Sequence, residues 1–209
     1  MEGKKFLSGT IQNHLVKPIT RRVAALRFPS VRFIPLEKTK FENTVPTLSA
    51  WKGLEEIIPS ILQQFHIPKN HCLEFGVEYG FSTAIFAQLF DEVIGVDTFE
   101  GDAHAGYQDT YQKARENLKS YPNVTLVKSS YQEFIHRQDR QYDLCHVDII
   151  HTYKDTFTCG DWAASHCKCV LFHDTVSFPQ VRQAVFDIAR KHGKIFYNYP
   201  FHHGLGIIV

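Results

Sequence analysis

A chain of 209 residues, 44% hydrophobic and 22% charged, has the material for one well-packed domain and is too apolar to be a disordered one. Its net charge is +1, and no apolar stretch approaches the length of a membrane span. Five cysteines, an odd number, do not read as a disulfide framework, so a reducing, cytoplasmic setting fits best.

The chain opens with MEGKKFLSGTIQNH, which has lysines but no continuous apolar core, and no secretory leader is expected. Residues 1–40 carry nine Lys and Arg against Glu2 and Glu37, leaving 14 basic and 20 acidic residues for the remainder. Pro18, Pro29, Pro35 and Pro46 interrupt any long helix. Residues 1–45 therefore read as an irregular basic arm and 46–209 as the folded domain. Such an arm suits an acidic partner or anionic lipid, or it packs on its own acidic domain or on a subunit neighbour in a homo-oligomer. It lacks the interleaved aromatics of a nucleic-acid surface.

In SAWKGLEEIIPSILQQF the apolar residues Trp51, Leu54, Ile57, Ile58, Ile61, Leu62 and Phe65 fall at helical intervals. The spacing predicts a helix from about Leu48, kinked near Pro59. From residue 71 short apolar runs alternate with amphipathic segments: HCLEF, EVIGVD, NVTLV, YDLCHVD and KCVLFHD, each followed by a helical pattern, then KIFYNY and LGIIV. This predicts an α/β fold, a doubly wound, mostly parallel seven-stranded sheet with an antiparallel C-terminal hairpin at one edge. Ligands of such sheets bind outside the carboxyl ends of the strands. There the apolar runs end in Glu74, Asp97, Asp148, and His173 with Asp174. Surface exit explains any one of these; it explains the set poorly.

The turn after the first run, CLEFGVEYGFS, lacks the G-x-G-x-x-G fingerprint and is flanked by Glu74 and Glu78. Two carboxylates beside a pyrophosphate would repel it, which disfavours a nicotinamide-dependent oxidoreductase and suits a cationic ligand. E-F-G-V-E-Y-G-F-S resembles the first motif of class I S-adenosylmethionine-dependent methyltransferases of the catechol O-methyltransferase-like branch. EVIGVDTFEGDAHAGY and VDIIHTYKD…VLFHDT are more similar still to the branch acting on sugars and macrolide-type small molecules. The resemblance runs from about residue 70 to the C-terminus and does not cover the basic arm.

This resemblance implies S-adenosylmethionine as cofactor and a small-molecule hydroxyl as acceptor. Glu74, Gly76 and Gly80 would shape the cofactor loop, and Ser82 would approach the methionine carboxylate. Asp97 would accept hydrogen bonds from both ribose hydroxyls, and Ser130, Tyr131 and Gln132 match the adenine-contacting region. Ser130 is equally suited to capping a helix. Asp148 and Asp174 would hold a metal, and His151, three residues after Asp148, would be the general base. An imidazole titrating near neutrality suits that role, and hard carboxylate oxygens suit Mg²⁺. Asp-Ile-Ile-His stands where the sugar branch has Asp-Gly-Asp-His, so one acid is missing, and Thr175 stands where the catechol type has Asn. His173 as a further ligand would favour Mn²⁺. A fold-related metal-dependent hydroxylase and a non-catalytic cofactor-binding module are the alternative readings. Cys167 and Cys169, with Cys159 and His166 near, lack a second pair at zinc-site spacing. Asp102, His104 and Tyr107 are expected to form an acceptor wall, and Phe201, His202 and His203 to border the same cleft.

Overall fold

The computed structural model describes residues 17–41, 45–102 and 106–209. Along the strands, successive side chains enter opposite cores, as a period of two demands. Cys72, Leu144, Leu171 and Ile207 join one cluster with Ile58, Ile61, Ile85 and Phe86. Their sequence neighbours Leu73, Cys145, Phe172 and Ile208 join a second with Cys159, Ala163, Val185 and Ile188. Strands apolar on both faces must be covered on both faces, and that produces a three-layer α/β molecule.

The elements in chain order are α1 (Lys17–Arg27), β1 (Val31–Arg32), a 3-10 turn (Glu55–Ile57), α2 (Ile58–Gln64), β2 (His71–Phe75), α3 (Phe81–Ala87) and β3 (Glu92–Asp97). A two-strand ribbon, β4 (Gly101–Asp102) and β5 (Gly106–Tyr107), precedes α4 (Tyr111–Leu118), β6 (Val124–Lys128) and α5 (Tyr131–Ile135). Then come β7 (Tyr142–Val147), α6 (Tyr153–His166), β8 (Cys167–Phe172), α7 (Pro179–Lys191), β9 (Phe196–Tyr199) and β10 (Leu205–Ile208). The sheet order is β1-β9-β10-β8-β7-β2-β3-β6. Every pairing is parallel except those of β10, which runs antiparallel to β8 and to β9. The chain winds outward from β2 through β3 to β6, then restarts at β7 on its other side, so the topological switch point lies between β2 and β7.

Four expectations change, the last of them in the N-terminal arm. The sheet has eight strands rather than seven, because Val31 and Arg32 pair with Tyr197 and Asn198. The β9–β10 hairpin consequently sits one strand in from the edge. The segment before Pro59 is turns and one 3-10 turn, since Gly53 has φ +99, and Pro59 stands in the first turn of α2, where it starts a helix instead of kinking one.

The N-terminal arm, expected to be irregular, contains the three-turn α1. Its end is pinned by Arg182 of α7, a residue only 6% exposed, which donates from Nε to the Phe28 carbonyl (2.9 Å) and from Nη2 to Ser30 Oγ (2.8 Å).

Candidate active site

Where β2 and β7 part, their chain continuations cross almost in contact. Asp148 donates its backbone N–H to the Phe75 carbonyl at 2.8 Å. A Cβ on Gly76 would lie 1.8 Å from the Asp148 carbonyl oxygen, and φ is +92 there, so only glycine fits. Asp97, ending β3, ties the same loop. Its Oδ2 accepts the N–H groups of Val77 and Glu78, both at 2.8 Å, and its Oδ1 accepts that of Phe99 at 2.7 Å. A carboxylate has about four lone-pair positions, so these three bonds leave one, on Oδ1, and Asp97 also lines the cleft described below.

Beneath this loop lies a closed polar chain. Glu74 is fully buried, and its oxygens accept from Ser82 Oγ and Thr83 Oγ1, both at 2.5 Å, and lie 2.9 Å from His146 Nδ1. The far nitrogen of that imidazole, Nε2, accepts from the Trp51 indole N–H at 3.1 Å. An indole can only donate, so Nε2 carries no proton and Nδ1–H must donate to Glu74. The network thereby fixes His146 as one neutral tautomer, linking a wall of the cleft (Trp51) to the start of α3.

The turns after β7 and β8 bring four titratable groups together. His151 Nε2 lies 2.9 Å from Asp174 Oδ2 and 3.6 Å from Asp148 Oδ1; His173 Nδ1 lies 3.2 Å from Asp148 and 3.2 Å from Asp174. The His151 ring stacks on Phe178 with centroids 4.1 Å apart. Asp174 takes a left-handed backbone, φ +64, and its turn is braced by the β9–β10 loop: the His203 carbonyl accepts from Val176 and Ser177, and the Gly204 carbonyl from Thr175. Burial drives each histidine toward its neutral form, but the two carboxylates outweigh it and raise His151 to about 9 and His173 to about 10. Burial likewise opposes ionisation of the acids, yet the imidazoles hold Asp174 at about 2 and Asp148 well below the usual carboxylate range.

Among the described residues, Asp148, His151 and Asp174 form a cluster whose donor atoms all lie within 4.8 Å of one another. Two carboxylate oxygens and an imidazole are a donor set for a hard or borderline divalent cation, so these residues fit one. His173, the further ligand expected from the sequence, stands beside this triad with Nδ1 3.2 Å from both Asp148 and Asp174.

One cleft of about 470 Å³ opens at the carboxyl ends of β2, β3, β6, β7 and β8. Of the residues singled out in the sequence, Gly76, Asp97, Ser130, Tyr131, Gln132, Asp148, His151, His173 and Asp174 all line it. Glu74 and Gly80 do not; Glu74 shapes the loop from below, and Gly80 packs on Leu118. Ser82 borders only a small adjoining pocket and spends its hydroxyl on Glu74. Ser130 also caps α5, accepting from the Glu133 N–H at 3.2 Å, and Tyr131 is anchored by its hydroxyl to Asp155 at 2.8 Å. His104 and the Asp102 side chain lie outside the described residues. Tyr107 is 80% exposed and off the cleft, which Gly101, Gln108 and Thr110 line instead. Phe201, His202 and His203 are exposed and off the lining; their loop acts as the brace described above. Trp51, Thr98 and Ile149 line the cleft without having been singled out as site residues. Trp51 sits in the helical apolar pattern, which marks a core residue and hides its second face.

Residues 73–175 match the family model of a methyltransferase domain. A protein of Sinorhizobium fredii known as uncharacterized protein y4gI is 31% identical over 154 residues, 65% of this chain. This chain spans about a sixth of that relative's length, 16%. Among solved structures, a proposed O-methyltransferase from Klebsiella pneumoniae superposes with TM-score 0.56 at 14% identity, covering 96% of this chain and 94% of the other. SMU.1697c, a proposed methyltransferase from Streptococcus mutans in complex with S-adenosylhomocysteine, gives 0.53 at 13% identity over 72% and 96%. At such identities the likeness is one of fold, the mostly parallel, Rossmann-like sheet expected from the sequence.

Proposed function

We propose that this chain, whose residues 73–175 match a methyltransferase-domain model, transfers a methyl group from S-adenosylmethionine to a hydroxyl oxygen of a small molecule, a sugar or secondary metabolite. The observation that carries this reading is a single cleft lined both by the Gly76–Asp97 loop and by the Asp148–His151–Asp174 cluster. A volume of about 470 Å³ is within the range of small-molecule sites. When bound, S-adenosylmethionine supplies the methyl group and leaves as a neutral sulfide, so the protein has to orient the acceptor and dispose of one hydroxyl proton. In this reading the Oδ1 position left open on Asp97 accepts a ribose hydroxyl, while Tyr131 and Gln132 face the adenine.

Asp148 and Asp174 would hold the divalent cation, which on binding would lower the pKa of a nearby hydroxyl. His151 is the proposed proton acceptor. Two carboxylates raise its pKa to about 9, and a cation that neutralised them would lower it toward the range of a working base. Base and cation site thus depend on one another. At hundredfold excess over Kd, Mn²⁺ or Mg²⁺ should stabilise the protein by about 2.7 kcal/mol, and Asp148→Ala or Asp174→Ala should abolish this shift.

Incubation with methyl-labelled S-adenosylmethionine and a panel of sugar and phenolic acceptors tests the reaction. Label in an ether product supports it, whereas a product heavier by an oxygen atom would assign a hydroxylase. His151→Ala separates the roles: retained cation binding with no methyl transfer supports the base, and loss of both makes His151 a ligand.

A further inference from the structure

The outward face of α1 is not explained by the fold. Ile19, Val23 and Leu26, spaced four and three apart, form one stripe, with relative exposures of 58%, 55% and 84%. The helix packs inward through Ala24, 6% exposed, and through Phe28 just past its end, whose ring lies 5.8 Å from that of Phe186 on α7. These positions fall opposite the stripe on a helical projection. The stripe therefore points away from the body of the protein, and Arg22 and Arg27 flank it, one on each side. No acidic residue occurs between Glu2 and Glu37, whereas seven Lys and Arg do. Val31, Ile34 and Leu36 extend the exposed apolar surface into the following segment, at 52%, 68% and 68%.

We propose that α1 is a surface-binding helix for an anionic lipid membrane, lying flat with Ile19, Val23 and Leu26 at the acyl boundary and its arginines among the head-group phosphates. Three features favour lipid over other occupants. A second copy of this chain would bring the same acid-free, arginine-flanked face against itself, and like charges would oppose the contact. A protein partner would need a complementary groove for a convex ridge of three aliphatic side chains that carries no aromatic anchor, whereas a bilayer needs only apolar area and opposite charge. Finally, Arg stems can lie along the apolar boundary while the guanidinium reaches phosphate, which suits residues set beside the stripe rather than within it. An 11-residue helix, about 16 Å long, gives reversible attachment and does not span the bilayer. This inference is independent of the proposed reaction.

Co-sedimentation of the full chain with vesicles tests it. Phosphatidylglycerol–phosphatidylcholine vesicles should bind it at least tenfold more tightly than phosphatidylcholine alone, and raising salt to ~0.5 M should weaken binding severalfold. The double variant Val23→Asp and Leu26→Asp should lose at least tenfold while keeping the wild-type melting temperature, because both side chains are exposed. Arg22→Gln with Arg27→Gln, which leaves the stripe intact, should weaken binding to anionic vesicles only. Absence of binding to anionic vesicles by the wild type, or unchanged binding by both variants, would overturn the proposal. So would a wild-type dimer in solution that the double Asp variant dissociates, since that would assign the stripe to an interface between copies.

Discussion

His146→Phe perturbs the buried chain under the cofactor loop while nearly preserving side-chain shape. Two hydrogen bonds disappear together: the Nδ1–H donated to Glu74 at 2.9 Å and the acceptor that the Trp51 indole uses at 3.1 Å. A hydrogen bond to a charged group is worth about 1.5–3 kcal/mol, and an orphaned buried N–H costs about 1–3 kcal/mol. Glu74 keeps Ser82 and Thr83 as donors, so its oxygens are not left bare. Added phenyl packing against Trp51 and Phe86, whose rings already lie 5.3 and 5.5 Å from His146, offsets part of the loss. The expected net destabilisation is about 3 kcal/mol, or roughly 6–12 °C in melting temperature for a domain of this size. Urea titration followed by tryptophan fluorescence measures it. Adding Trp51→Phe removes the orphan donor, so the double variant should be more stable than the sum of the singles by at least ~1 kcal/mol. A loss below ~1 kcal/mol for His146→Phe, or strict additivity, would refute the hydrogen-bonded chain.

Gly76→Ala forces a Cβ to 1.8 Å from the Asp148 carbonyl at φ +92. The backbone alone costs roughly 1–3 kcal/mol, and relieving the clash must separate β2 from β7, so thermal unfolding should fall and S-adenosylhomocysteine binding should vanish together. Asp143 illustrates the pH dependence. Burial raises its pKa, but Lys168 Nζ, the His71 N–H and two Asn70 donors outweigh this and hold it below the usual value. A depressed folded-state pKa contributes stability that is present above the unfolded value and lost as pH falls through the folded one. Asp143→Asn should therefore lower stability by about 1–3 kcal/mol at neutral pH and flatten its acid dependence, as denaturant midpoints measured across the acid range would show.

The strand ends were legible because each apolar run stops at a polar residue, and parallel strands share one carboxyl edge. The pattern alone therefore sets Asp97, Asp148, His173 and Asp174 at a common edge, where all four line the cleft. Trp51 and His146 were not legible as partners: they are 95 residues apart, and each reads as an ordinary core residue in its own element. Glu74 shows a related limit, since the pattern fixes its position at the end of β2 but not whether its carboxylate faces cleft or core. Burial decides that, and it turned Glu74 and Ser82 inward onto one another. Pro18 in the sequence suggests an interruption of the arm, whereas a proline in the first turn is compatible with a helix and α1 begins there. The two-residue β1 carries no periodicity at all, and only its pairing with β9 defines it.

The central claim is that the cleft receives S-adenosylmethionine through the loop tied by Asp97. Calorimetric titration with S-adenosylhomocysteine, wild type against Asp97→Ala, tests it most directly. The account predicts one site per chain in the wild type and at least tenfold weaker binding in the variant, because the variant loses both the open Oδ1 position and the three backbone N–H contacts that shape the loop. No measurable heat or saturation with the wild type, or equal affinity in the two proteins, would contradict it.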